Sequence, residues 1–188
     1  APTIPVYFDT YDYTKRLTYL GNILGLSENA ETIIDYCKKT EKVALQKIKD
    51  LNINDKSVTF YTYYKGLTIP PNYKDAFVFN HILYSTLNLK MLPIVKDFLD
   101  DQSQQAFSQI SNEKLKDYEG DLVIFAGLGE ETIPDSVKTN EGFKSLKAVK
   151  ENRVGCIDMI LYSFKDALYM EAQYNQILDA LKVASNQN

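Results

Sequence analysis

The sequence predicts an α/β fold: a three-layer lobe with a mostly parallel central sheet flanked by helices, preceded by one long helix. Three observations carry this. After the long helix, strand-like and helical runs alternate, the pattern of a sheet covered on both faces. Residues 121–126 (DLVIFA) form a short continuous apolar run, as a parallel strand buried on both sides requires. Residues 27–51 contain no Gly or Pro, and at about 1.5 Å per residue they make a rod of roughly 35 Å.

Taken in order, residues 3–8 (TIPVYF) read as a short strand, with Pro5 pushing it toward an edge or a strand start. Residues 12–24 place Tyr13, Leu17, Leu20 and Leu24 at helical spacing, with Asp12 as cap and Gly25 as terminator. Ser27 is a suitable N-cap for the rod; Glu28 and Glu31 lie at its positive end, Lys47 and Lys49 in its last turn. Ala30, Ile33, Ile34, Cys37, Ala44, Leu45, Ile48 and Leu51 form a narrow stripe, broken by Lys38 and Glu41. Such a rod either lies along a surface or connects two bodies.

A polar turn at 52–55 leads to a strand at 57–64 (SVTFYTYY), rich in β-branched and aromatic residues. Val58, Phe60, Thr62 and Tyr64 share one face, and Thr59, Tyr61 and Tyr63 the other. Lys65 and Gly66 close it. Residues 67–74, with Pro70 and Pro71, read as a loop, and 75–87 as an apolar helix capped by Asp75. A helix over 93–99, a polar linker and a brief helix over 112–118 precede the strand at 121–126. Gly127 and Gly129 follow, then a helix within 131–139 beside Pro134 and another over 143–149. Residues 153–160 (RVGCIDMI) make the last strand. The closing helix over 169–184 turns Ala172, Ile177, Leu178 and Leu181 inward.

The 188 residues suffice for one domain, or one domain plus part of another, and the opening APTIPVYFD, with no basic leader, reads as a cut through a longer protein. No run approaches the ~20 apolar residues of a membrane span. A net charge of −4, with Arg16 and Arg153 the only arginines, argues against a nucleic-acid surface. Cys37 and Cys156 read as two buried free thiols, which lean toward a reducing compartment. Fourteen tyrosines and no tryptophan suit a polar ligand that also carries apolar surface.

Catalytic chemistry finds no support. The lone histidine, His81, sits mid-helix away from any Cys, Ser or carboxylate constellation, and no GxSxG, P-loop or HExxH motif occurs. The turn at Gly127 and Gly129 lacks a third glycine, and Glu130 and Glu131 after it would repel phosphate. Neither an enzyme nor a metal held directly by protein ligands is expected. What remains is the carboxyl ends of the strands, where open α/β sheets bind ligands. Those ends carry Tyr63, Tyr64 and Lys65, then residues 126–129, then Leu161, Tyr162 and Ser163. Aromatics with one lysine suit an apolar-edged, oxygen-rich ligand, and ordinary packing of strand-end tyrosines is the alternative.

The order of segments resembles the helical-backbone class of substrate-binding proteins, the ferric-siderophore and cobalamin binders of ABC importers. YDYTKRLTYLGNILGLSENAETII is similar to that family's helix, LGxxLG turn and connecting helix. SVTFYTYYKG, ILYSTLNLK, ISNEKLKDYEGDLVIFAG and FKSLKAVKENRVGCID resemble successive segments of its second lobe. The resemblance implies that residues 1–26 are the tail of an N-terminal lobe, 27–52 the interlobe helix and 53–188 the C-terminal lobe. The rest of the N-terminal lobe would be missing, and the ligand would lie between lobes.

Thr62 and Tyr64 fall where catecholate binders often place arginines, so their neutrality implies a ferric hydroxamate rather than a trianionic catecholate complex. The implied ligand contacts are Thr62, Tyr64, Lys65 and Tyr162. Iron would be held by the siderophore, with no cofactor. Glu113 matches the acidic residue that meets the ABC permease. The implied setting is the extracellular face of the membrane, lipid-anchored. A cytoplasmic siderophore sensor fused to an AraC-type transcription regulator is the alternative.

Overall fold

The computed structural model describes residues 3–4, 12–70, 80–101, 109–127, 129, 132–160 and 167–186. Residues 5–8 of the first expected strand and 75–79 of the expected helix, with its Asp75 cap, lie outside them.

Two helices open the described chain, and their ends explain them. Asp12 caps α1 (Tyr13–Leu24) by accepting from the Lys15 amide at 2.7 Å. Gly25, at φ 67°, ends it in the left-handed conformation, and Leu26 N–H returns to the Gly21 carbonyl at 2.8 Å. The chain enters α2 (Ser27–Asp50) at once. This corrects the reading of Ser27 as a side-chain cap. Leu26 holds the cap position, and the Ser27 hydroxyl, turned toward α1, donates to Asn22 Oδ1 at 3.0 Å. A Cβ on Gly21 would stand 2.7 Å from the Ala30 Cβ, so a glycine is what lets the two helices close so tightly.

Four strands form one sheet in the order β2-β1-β3-β4. They are β1 (Val58–Tyr63), β2 (Leu67–Thr68), β3 (Leu122–Gly127) and β4 (Val154–Asp158). β1, β3 and β4 are parallel, with Phe60 opposite Ile124 and Phe125 opposite Cys156; β2 is an antiparallel edge, Thr62 opposite Thr68. The expected loop at 67–74 is thereby corrected at its start: two paired residues are too short to leave a period in the sequence.

The helices cover both faces, as the alternation of apolar residues along β1 and β3 requires. On one face Val58, Phe60, Ile124, Ala126 and Ile157 pack with α2, a π-helical turn (His81–Thr86) and α7 (Met170–Ala184). On the other, Tyr61, Val123 and Phe125 pack with α3 (Pro93–Asp100), a 3-10 turn (Leu115–Tyr118), α4 (Asp135–Lys138), α5 (Glu141–Ser145) and α6 (Lys147–Lys150). Phe60 and Phe125 are fully buried, each stabilising the fold by about 1.5–3 kcal/mol. The Tyr61 hydroxyl, also buried, donates to the Leu115 carbonyl at 2.9 Å, and burial pushes its phenol far above the ordinary range.

Several expectations change in detail. The apolar helix expected to run to 87 is π-helical over its described part, His81–Thr86. Residues 112–118 give a turn and then the 3-10 segment rather than one helix. The helix over 143–149 is two short ones, because Leu146 is extended at φ −61°, ψ 140° and buries its side chain between them. On α7 Ala172 faces solvent, while Gln173, Tyr174, Ile177, Leu178 and Leu181 face inward. Cys37 is fully buried, but Cys156 is only half-buried, because β4 is the outer strand of the described sheet.

α2 buries Ala30, Ile34, Cys37, Ala44 and Ile48, while Ile33 is exposed and Leu45 half-buried. Against α7 it makes a polar seam: the Tyr36 hydroxyl donates to Glu171, Tyr174 donates to Glu41 at 3.4 Å, and Lys47 donates to Asn175 at 3.2 Å.

Candidate functional site

The carboxyl ends of β1, β3 and β4 meet at one edge of the sheet. β1 ends in a tight turn into β2, where Tyr64 N–H donates to the Gly66 carbonyl at 2.9 Å. Lys65 takes a left-handed φ of 58°, and its ammonium lies 5.6 Å from the Tyr64 ring centroid, a cation–π distance. Gln109 pins the turn by donating to the Lys65 carbonyl at 2.9 Å. Tyr64 is thus presented outward, 48% exposed, by a held backbone.

β3 and β4 end together. Gly127 pairs with Asp158, and Met159 N–H donates to the Gly127 carbonyl at 2.7 Å. Beyond that rung Asp158 Oδ1 accepts from Gly129 N–H at 2.9 Å and from Ile160 N–H at 2.8 Å. Ile160 is 51% exposed, and at the amino end of α7 Leu168 and Tyr169 are 83% and 44% exposed. Among the described residues this edge presents apolar and aromatic side chains together with Lys65.

The structure distributes the sequence-derived residues unequally. Tyr64 and Lys65 share the β1–β2 turn. Thr62 does not reach the surface: it is fully buried, and its hydroxyl donates to the Ala126 carbonyl at 3.0 Å and lies 3.7 Å from Met159 Sδ. The expectation that Thr62 touches ligand is corrected, since its position on the inner face of β1 turns it into the core. Tyr162 lies outside the described residues. Glu113 is exposed, in a turn between Ile110, whose N–H donates to the Leu67 carbonyl at 2.9 Å, and the 3-10 segment. It stands on the outer layer, separate from the Tyr64 turn in the chain. His81 is exposed on the π-helical turn. Sequence reasoning passed over Asp158, Ile160, Leu168 and Tyr169, placing the first two within the last strand, Tyr169 at the start of the closing helix and Leu168 in neither. The available signal was an aspartate closing an apolar strand and followed by further apolar residues.

A concavity of about 610 Å³ opens at the opposite, amino ends of β1 and β3, lined by Lys56, Lys116, Lys147, Arg153, Glu119 and Asp121 among others. Its carboxylates serve the fold. Asp121 accepts from Ser57 N–H at 2.8 Å and from Ser57 Oγ at 2.7 Å, bonds that hold its carboxyl below the usual range. Glu119 accepts from the Ala148 amide at 2.7 Å, and Arg153 pairs with Glu151 and donates to the Ala184 carbonyl at 3.3 Å. Asn52 and Ser185, just past the carboxyl ends of α2 and α7, also line it, so its cations face helix ends that favour positive charge. Among the described residues no group of three His, Cys, Asp or Glu side chains is placed to hold a metal ion, and no helix is long and apolar enough to cross a membrane.

A four-stranded, mostly parallel sheet covered by helices on both faces and preceded by a long helix has the fold of the periplasmic binding proteins. The chain belongs to the periplasmic binding protein family, whose profile matches residues 1–160. It is 30% identical over 189 residues to the iron(3+)-hydroxamate-binding protein FhuD of Bacillus subtilis, covering 96% of this chain and 56% of that protein. The chain therefore spans a little over half the length of this relative. A solved FhuD-fold periplasmic binding protein component of a Fep/Fec-like ferrichrome ABC transporter, also from Bacillus subtilis, superposes with a TM-score of 0.79 at 27% identity, over 96% of this chain and 67% of that one. FhuD2 of Staphylococcus aureus, solved with bound ferrioxamine B, shares the fold with a TM-score of 0.75 at 22% identity, over 98% of this chain and 70% of that one.

Proposed function

We propose that this chain is the greater part of a ferric-siderophore receptor, binding a ferric hydroxamate for delivery to an ABC importer. The observation that carries the reading is the 30% identity to an iron(3+)-hydroxamate-binding protein across 96% of the chain. The platform at the carboxyl edge of the sheet supports it. Tyr64 and Ile160 offer apolar contact to the organic shell of a chelate, and Lys65 and the phenol offer hydrogen bonds to its oxygens. Iron is cargo here, held by the siderophore, and the protein supplies no cofactor.

In this reading residues 1–26 close an N-terminal lobe, 27–52 are the interlobe helix and 53–188 are the C-terminal lobe. An open platform, rather than an enclosed cavity, is what one lobe of a two-lobe cleft contributes. Tyr64, Lys65 and Tyr162 face the ligand, Thr62 supports them from below, and Glu113 meets the permease. The receptor stands on the extracellular face of the membrane, held by a lipid anchor.

The test is titration of the full-length protein with ferrioxamine B, following tyrosine emission, since the chain has fourteen tyrosines and no tryptophan. Saturable quenching is expected, and Tyr64→Ala and Tyr162→Ala should each weaken affinity about tenfold, the loss of one aromatic contact. Wild-type affinity in both variants would show that the ligand sits elsewhere.

A further inference from the structure

Asp158 is placed where three elements converge, and its contacts are unusual for a strand-end residue. One oxygen, Oδ1, serves two amides from different segments: Gly129, beyond β3, at 2.9 Å and Ile160, beyond β4, at 2.8 Å. Its own N–H donates to Gln176 Oε1 on α7 at 3.3 Å. The ladder between β3 and β4 ends at Gly127 opposite Asp158, with Met159 N–H on the Gly127 carbonyl, so no rung of the ladder joins Gly129 to Ile160. Gly129 has φ 76°, and a Cβ added to it would lie 3.4 Å from Ile160 Cδ1, so the two segments touch where the carboxylate ties them. The carboxylate is half-buried and, among the described residues, no cation pairs with it. Amide donors to a carboxylate make charge-assisted bonds, roughly twice as strong as neutral ones.

We propose that Asp158 is a positioning residue that locks Gly129 and Ile160 together as part of one ligand-facing surface. It sets Ile160 before the ligand arrives and lowers the ordering cost of binding. The inference rests on the ferric-hydroxamate reading for its ligand, and on the described geometry alone for the clamp.

The experiment compares full-length wild type, Asp158→Ala and Asp158→Asn. Amide hydrogen exchange without ligand reports the clamp, and ferrioxamine B affinity reports its use. Asp158→Ala should speed exchange at Gly129 and Ile160 and weaken affinity, each by about tenfold or more, as the loss of two charge-assisted bonds implies. Asp158→Asn keeps a carbonyl oxygen in place but makes neutral bonds of about half the strength, so both readouts should fall between wild type and Asp158→Ala. Unchanged exchange at the two amides overturns the clamp. Faster exchange with unchanged affinity overturns its positioning role, as does an asparagine variant that recovers exchange but not binding. Wild-type protein that binds no ferric hydroxamate would instead overturn the functional reading, and the ligand-free exchange data distinguish that failure. Should the alanine variant not fold, the asparagine variant alone, with both readouts below wild type in step or not, decides the matter.

Discussion

Gly155, mid-strand in β4, lies against the backbone of α7. A Cβ there would sit 2.1 Å from the Ala180 carbonyl oxygen, 2.6 Å from its carbonyl carbon and 2.8 Å from its Cα. Ordinary contact begins near 3.4 Å, so Gly155→Ala forces β4 and α7 apart by about 1.3 Å, with no flexible side chain to yield. Both elements are fixed elsewhere, β4 by its ladder to β3 and α7 by Ile177, Leu178 and Leu181 in the core. Overpacking of this kind costs about 1–3 kcal/mol, and a backbone obstacle belongs at the upper end. For a domain of this size, about 3 kcal/mol lowers Tm by roughly 6–12 °C. Thermal unfolding followed by circular dichroism on the full-length protein measures it. A melting shift under about 2 °C would show that β4 and α7 are not in backbone contact, and the packing of this face would need redrawing.

Two further outcomes are expected. Hydrogen bonds from Ser57 keep the folded-state pKa of Asp121 below its ordinary value of 3.8. Its contribution is therefore present above that value and lost as pH falls through the lower folded one. Asp121→Asn should flatten the acid limb of stability below about pH 4, read by denaturant melts at successive pH values. Reversing charge at exposed Glu113 (Glu113→Lys) should leave ferrioxamine B affinity within experimental error while lowering cellular uptake of the ferric complex. Equal uptake would remove Glu113 from the permease surface.

Which parts of the molecule could be read from the chain follows from how local their causes are. Asp12 and Gly25 act within one turn of their own helix, and both did what their chemistry requires. The strand faces of β1 were legible because Phe60 and Tyr61 alternate into opposite cores. Ser27 was misassigned because its partner, Asn22, is supplied by a neighbouring helix brought close by Gly21, a contact that no pattern within α2 announces. Leu146 broke an expected helix for a similar reason: its burial in the core outweighs the propensity of the residues around it. At the site, Tyr64 and Lys65 stood out by composition, whereas Thr62 looked equally available; it lies inside the paired strand, between Ala126 and Thr68, while Tyr64 stands beyond the strand's end. Asp158 was visible only as an aspartate closing an apolar strand, since its partner Gly129 lies 29 residues away.

The α1–α2 turn closes so tightly, with Gly21 against Ala30 and Leu26 N–H on the Gly21 carbonyl, that the two helices pack as one unit. α2 meets α7 through the polar seam at Tyr36, Glu41 and Lys47 and, beside it, through Cys37, Ala44 and Ile48 in the core. A helix of 24 residues is about 36 Å long, so a tilt of about 5° about one end carries the other through roughly 3 Å. Hydrogen bonds between side chains tolerate and reform across such a swing more readily than a jigsaw of interlocked apolar groups would. The seam can follow such a swing, and Cys37, Ala44 and Ile48, packed in the core, are what resist it.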